Sequence, residues 1–241
     1  MKTVAVIPAR LASTRLPEKA LVDIAGRPMV AHVVERVLLA KGPSEVIVAT
    51  DDDRIAAAAR KAGARPIMTS PSCPSGTDRV AEAVRGLDAD LILNIQGDEP
   101  LLPAEAVEAL HRTLVDGAAA GAGMATLARP LDPAEAGLPQ VVKVVLAEDR
   151  TALYFSRSAV PFPREPGVVR PLAHVGLYGY TRATLERLSS LPPTGLERAE
   201  GLEQLRALGH GIRIAVGVGH WKTHAVDTAE DLARVRALVG A

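Results

Sequence analysis

The stretch Val4-Ala5-Val6-Ile7-Pro8-Ala9-Arg10-Leu11-Ala12-Ser13-Thr14-Arg15-Leu16-Pro17-Glu18-Lys19 decides the fold. It begins with a short apolar, largely β-branched run ending at Pro8, the pattern of a strand buried on both faces. A turn-rich loop follows and carries Arg10, Arg15 and Lys19 within ten positions. Open α/β sheets bind ligands at the carboxyl ends of their strands, so this loop stands where a ligand is expected. Arg forks two oxygens and Lys supplies a mobile point charge, so three such cations suit a polyanion such as a triphosphate. A solvated loop that is merely basic is the plainer alternative. Position, charge density and flanking prolines favour phosphate.

Outward from this loop, helix and strand patterns alternate. Pro28 to Ala40 reads as a helix with Val30, Val33, Val34, Val37 and Leu38 on one apolar face, stopped by Gly42-Pro43. Ser44 to Thr50 reads as a second buried strand, and Asp51-Asp52-Asp53 as the start of an alanine-rich helix reaching Ala62, with acids at its positive end. A short strand from Arg65 to Thr69, a helix from Thr77 to Leu87, a strand from Leu91 to Ile95 and a helix from Pro103 to Val115 follow. This order, without internal repeats, argues for a largely parallel sheet with helices on both faces.

The second half changes character. Gly123 to Leu127, Val141 to Leu146, Ala152 to Ser156 and Leu172 to Tyr180 read as strands in quicker succession, a strand-rich region suited to a lid or a self-association surface. Leu196 to Gly209 reads as one helix, Ile212 to Val218 as a strand and Thr228 to Val239 as a closing helix. With no long linker, the expected organisation is one domain over 1–241, with 128–195 as an inserted substrate-side and dimerisation region.

Composition narrows the function. The chain has 241 residues, and its 28 Lys and Arg balance 28 Asp and Glu, so no global field draws it to nucleic acid or to an acidic membrane. One cysteine, Cys73, excludes an intramolecular disulfide and suits a reducing compartment. The N-terminus shows no secretory pattern and no apolar run is long enough to span a bilayer, so the expectation is a soluble cytoplasmic protein. P-loop, GxGxxG, CxxC, HExxH and GxSxG motifs are missing, which weakens ATPase, dehydrogenase, zinc-enzyme and serine-hydrolase readings.

Two acids stand where a metal would be useful. Asp98 follows the Leu91–Ile95 strand within Gln96-Gly97-Asp98-Glu99-Pro100, facing the ligand crevice. Asp227 precedes the last helix; it reads either as an N-cap or, if Thr228 caps instead, as a second ligand. Mg²⁺ favours one or two carboxylates plus substrate phosphates. His220 and His224 read as ordinary histidines, and Asp51-Asp52-Asp53 as a cap rather than a glycosyltransferase metal motif.

These residues carry a family resemblance. Ile7 to Lys19 resembles the signature loop of the 3-deoxy-D-manno-octulosonate (Kdo) cytidylyltransferases, and the likeness continues through Ser75-Gly76-Thr77-Asp78-Arg79, Asn94-Ile95-Gln96-Gly97-Asp98-Glu99-Pro100 and Met124-Ala125-Thr126-Leu127. Val142-Lys143-Val144-Val145, Ala152-Leu153-Tyr154-Phe155-Ser156-Arg157, His174-Val175-Gly176-Leu177-Tyr178, Leu202-Glu203-Gln204-Leu205-Arg206 and Val226-Asp227-Thr228-Ala229-Glu230-Asp231-Leu232 extend it in family order over nearly the whole chain. The basic loop is shared by many sugar nucleotidyltransferases; the combined set is specific.

The resemblance implies a Rossmann-like α/β fold of the nucleotide-diphospho-sugar transferase type, with a mixed, mainly parallel sheet. It implies Mg²⁺-dependent transfer of CMP from CTP to the anomeric hydroxyl of Kdo, with pyrophosphate released and Kdo activated for lipopolysaccharide synthesis. Arg10, Arg15 and Lys19 would hold the triphosphate, with Pro8, Ala9 and Leu11 beside them. Ser75, Gly76, Arg79 and Gln96 would line the cytidine pocket. Asp98 and Asp227 would bind Mg²⁺, joining Arg10 and Lys19 as the catalytic set. Arg157, His174, Tyr178, Glu203 and Gln204 would hold the acidic sugar, and the chain would form a homodimer. Asp78, where the family more often has Glu, and Arg198-Ala199 and Gly201, in place of bulkier residues, bear on the rim of the sugar pocket, as does the short loop Val168 to Leu172. The alternatives are a cytidylyltransferase for another acidic sugar, such as a nonulosonic acid, and a non-catalytic nucleotide-binding module.

Overall fold

In the computed structural model, residues 1–13, 15–165 and 167–240 are described, and Thr14 of the signature loop lies outside them. The chain divides into two compact units, residues 1–108 with 222–241, and residues 109–221.

The first unit is built on parallel strands. Strand β1 (Thr3–Ala9) is flanked by β4 (Glu45–Thr50) and β6 (Leu91–Asn94), and β5 (Arg65–Met68) lies beyond β4. Val4, Ala5, Val6 and Ile7 are at most 1% exposed, so both faces of β1 are covered. Pairing continues past the expected stop: Pro8 sits opposite Ala49 and Ala9 opposite Thr50, which carries the strand to the edge of the basic loop. A small hairpin, β2 (Asp23–Ile24) and β3 (Arg27–Pro28), precedes helix α1 (Met29–Leu38). The four valines of α1 are buried as expected, whereas Leu38 on its last turn is 47% exposed.

Helix α2 (Asp53–Lys61) is capped by Asp52, which accepts from the N–H groups of Arg54 and Ile55, so the acidic triplet is a helix start as read. Helix α3 (Gly76–Ala83) begins at Ser75, whose side chain caps Asp78 N–H, and ends before the expected Leu87 because Gly86 takes a left-handed φ of 80°. Helix α4 (Ala104–Ala119) starts in this unit, and its later turns belong to the second. Helix α8 (Ala229–Val239) is capped by Thr228, and its Leu232 and Val235 pack with Val226 against Ile24 and Met29.

The second unit holds a mixed sheet. Strand β10 (Leu172–Thr181) runs antiparallel to β7 (Met124–Pro130) and to β8 (Lys143–Leu146). Strand β9 (Ala152–Ser156) pairs antiparallel with β8, and β11 (Ile214–Val218) pairs parallel with β7. Helix α5 (Arg182–Ser190), which the hydrophobic pattern did not announce, follows β10 directly and is capped by Thr181.

The single helix expected from Leu196 to Gly209 is two: α6 (Gly195–Glu200) and α7 (Gln204–Gly209). Gly201 at φ 62° ends α6, and both Gly201 and Leu202 turn their N–H groups back onto Glu197 O, a helix-terminating pattern. Arg206 then closes the corner on the Glu197 carboxylate at 2.6 and 2.9 Å.

Candidate active site

A cavity of about 290 Å³ lies in the first unit at the carboxyl ends of β1 and β6. Its wall includes Pro8, Ala9, Arg10, Arg15 and Lys19 from the basic loop, Ser75, Gly76 and Arg79 from the start of α3, Gln96 and Asp98 after β6, and Asp227. Eleven of the twelve residues expected there on nucleotide or metal grounds therefore share one wall. Leu11 does not line it; its backbone N–H donates instead to Asp51 Oδ1 at 3.1 Å.

Charge is arranged around Lys19. Its ammonium donates to Asp98 Oδ2 at 2.6 Å and to Asp227 Oδ1 at 3.1 Å, and Arg15 Nη2 lies 3.0 Å from the same Asp227 oxygen. Burial would lower the Lys19 pKa, but Asp98 and then Asp227 outweigh it, and the net shift is upward. One point charge is thus shared by two carboxylates, the donor set that a divalent cation with phosphate oxygens would use. Among the described residues, no group of three or more His, Cys, Asp or Glu side chains gathers to hold a metal.

Backbone contacts set their separation. Val226 N–H donates to Asp98 O at 2.9 Å, and His224 N–H donates to Glu99 Oε2 at 2.8 Å. Thr228, not Asp227, caps α8, which leaves the Asp227 carboxylate for the cavity. Glu99 itself is pushed up to about 7, first by burial and then by the neighbouring Asp98 carboxylate. Gly97 is required for the close approach of this loop to β1, since a Cβ there would meet Pro8 O at 2.8 Å.

Arg79 reaches the wall, yet its guanidinium is committed elsewhere. It is 2% exposed, with Nη1 donating to Thr69 Oγ1 at 2.6 Å and Nη2 to Asp51 Oδ2 at 3.0 Å. Arg79 therefore anchors Asp51, and Asp51 anchors the loop through Leu11. Reading Asp51 only as part of a helix start missed this, because the partner lies 28 residues away in sequence.

The residues expected to hold the sugar lie in the second unit. Between Val175 and Tyr178 the β10–β7 register shifts: Val175 faces Leu127, whereas Tyr178 faces Thr126. An extended strand would separate residues four apart by about 13 Å, but here the His174 and Tyr178 rings are 5.5 Å apart. Thr126 Oγ1 fills the bulge, donating to Leu177 O at 2.7 Å and lying 2.9 Å from His174 Nε2. With its one proton on the carbonyl, the hydroxyl accepts from His174, which assigns the proton of the neutral imidazole to Nε2. Burial pushes His174 down to about 3. Its ring sits edge-on to Phe155 at 5.0 Å.

Tyr178 Oη donates to Gln204 Oε1 at 3.1 Å, and burial first, then Tyr180 and Glu203, raise its pKa. Gln204 is 3% exposed and its Nε2 has no partner, a buried donor facing this cluster. His174, Tyr178, Glu203 and Gln204 are thus brought together. Arg157 docks on the α6–α7 corner, with Nε donating to Glu200 O at 2.6 Å and Nη2 to Gly201 O at 3.4 Å. Thr126 stands in one of the blocks that carry the family resemblance, but nothing there pointed to its hydroxyl as the support of His174.

Comparison with known proteins agrees with this geometry. The family model described as Cytidylyltransferase matches residues 4–214. The 3-deoxy-manno-octulosonate cytidylyltransferases of Anaeromyxobacter sp. (strain Fw109-5) and Myxococcus xanthus (strain DK1622) are each 52% identical, over 100% of this chain and 98% and 97% of their own lengths. A solved structure of CMP:2-keto-3-deoxy-manno-octonic acid synthetase complexed with CTP superimposes with a TM-score of 0.94 at 45% identity, covering 100% of this chain and 99% of that one. Full-length likeness of this degree, laid over a cavity that gathers the basic loop and both aspartates, makes the chain a member of the cytidylyltransferase family, in its 3-deoxy-manno-octulosonate branch.

Proposed function

We propose that this chain transfers CMP from CTP to the anomeric hydroxyl of Kdo, releasing pyrophosphate and activating the sugar for lipopolysaccharide synthesis. The observation that carries the reading is the single cavity on which Arg10, Arg15, Lys19, Asp98 and Asp227 converge. The basic loop binds the triphosphate, and Lys19 holds charge on it while its own ammonium stays protonated. Ser75, Gly76 and Gln96 surround the base. Arg157 pairs with the Kdo carboxylate, and His174, Tyr178, Glu203 and Gln204 take its hydroxyls. No side chain serves as a nucleophile; orientation and fixed charge supply the acceleration.

The pairing of Asp98 with Asp227 across one ammonium supports a Mg²⁺ site between them. Bound there, the ion would neutralise pyrophosphate and lower the pKa of the attacking hydroxyl. The test is mass spectrometry of products from CTP, Mg²⁺ and a mixture of 2-keto sugar acids. CMP-Kdo is the expected product; a CMP-nonulosonate formed instead would transfer the assignment to the alternative acidic sugar, and CTP binding without product would favour a binding module. Asp98→Ala should lower kcat by at least about 10³-fold with the melting temperature retained, and chelation of the metal should silence the wild type. Near-normal turnover in Asp98→Ala would remove it from the metal site.

A further inference from the structure

Lys143 opens β8 and takes no part in the reaction as described. Its side chain is fully buried. The three N–H bonds of its ammonium end on backbone carbonyls: Leu138 O at 3.1 Å, Val141 O at 2.7 Å and Arg157 O at 2.5 Å. A neutral amine has only two N–H bonds and would strand one of these carbonyls, so the three acceptors select the charged form. With every donor spent on a carbonyl, the charge is not cancelled by a bonded carboxylate.

The placement of those carbonyls is informative. Leu138 and Val141 bracket Pro139, whose own carbonyl accepts from Arg157 Nη1 at 3.0 Å. The third carbonyl belongs to Arg157 itself. Lys143 therefore grips both the backbone of Arg157 and the turn on which its guanidinium leans. Glu200, which accepts from Arg157 N–H at 2.9 Å, is the acid that faces this pair of cations. Glu200 is thus the acid set directly against this pair, and a substrate carboxylate would bring a second negative charge to the two cations.

We propose that Lys143 is a positioning residue for carboxylate recognition: it aims Arg157 through the Pro139 turn and adds a second positive charge behind it, selecting ulosonic acids over neutral sugars. The proposal rests on the reading above that Arg157 pairs with the Kdo carboxylate.

Initial rates with CTP and Kdo varied separately test it, on wild type, Arg157→Met, Lys143→Met, the double variant and Pro139→Gly, each with its melting temperature. Loss of a charge-assisted contact corresponds to about 10- to 100-fold in apparent affinity. Arg157→Met should raise the Kdo KM by about that much, and Lys143→Met by about tenfold, while the CTP KM stays within about twofold. The double variant should be little worse than Arg157→Met alone, since both changes remove one interaction. A merely structural lysine would instead add its effect to that of Arg157→Met and move both KM values together. Pro139→Gly leaves the ammonium untouched and frees an exposed turn, so it decides the matter even if Lys143→Met does not fold; an increase of about threefold or more in the Kdo KM is expected. If Arg157→Met raises the Kdo KM but Pro139→Gly and any folded Lys143→Met do not, the proposal is overturned while the reading of Arg157 stands. If Arg157→Met itself leaves the Kdo KM unchanged, that reading falls and the proposal falls with it.

Discussion

His174 illustrates how one residue couples site geometry to solution conditions. Its imidazole is held at about 3 against an ordinary 6.5, because burial among Phe155 and Tyr178 disfavours the cation. The unfolded chain binds a proton there below pH about 6.5, and the folded chain does not until near pH 3, so the folded state loses stability as acid is added through that window. Above it the contribution is complete. His174→Gln keeps a donor for Thr126 and removes the titration. Unfolding free energies from urea titrations at pH 7.5 and 4.5 should fall less for the variant than for the wild type, by on the order of 1–2 kcal/mol. Equal losses in both would show that the ring is solvated in the folded state. Lys19 offers the opposite case: its net shift is upward, so it remains a cation across the pH range in which the triphosphate is fully ionised.

Among the elements, the periodic ones were legible and the punctuated ones were not. The β-branched runs of β1, β4 and β6 and the valine stripe of α1 announce themselves, because burial on both faces or along one stripe leaves a repeat. The α6–α7 break escaped notice, since the decisive event is a single left-handed Gly201 with no bulky neighbour to reveal it. The bulge in β10 was equally silent: it depends on the Thr126 hydroxyl meeting carbonyls about 50 residues away. Of the candidate site, loop and aspartates could be read because their chemistry is local. The commitments of Arg79 to Asp51 and of Lys143 to three carbonyls are long-range pairings that no window shows. Gly201→Ala isolates the cost of such a corner. Space is available, the nearest atom being Arg157 Nη2 at 3.9 Å, so only the φ of 62° is strained. A loss of about 1–2 kcal/mol is expected in calorimetric or urea unfolding; no loss would mean that the corner relaxes.

At the scale of the molecule, zero formal net charge leaves apolar contact rather than long-range attraction to drive self-association. Phe162, Val168 and Val169 are 86%, 71% and 58% exposed and line one shallow surface with Pro161, Pro163 and Pro171. We propose that the chain forms a homodimer through this surface; Phe162→Asp should then halve the mass measured by light scattering, and a wild type already of monomer mass would refute the idea. No helix among the described residues is long and apolar enough to cross a membrane. The Lys19–Asp227 contact joins residues 208 positions apart. A ribosome adding about 5–20 residues per second needs roughly 10–40 s to span that gap. During that interval the nascent protein holds Lys19 and Asp98 without their third member; on the role proposed for Asp227, translation products that stop before it should be catalytically inert rather than partly active.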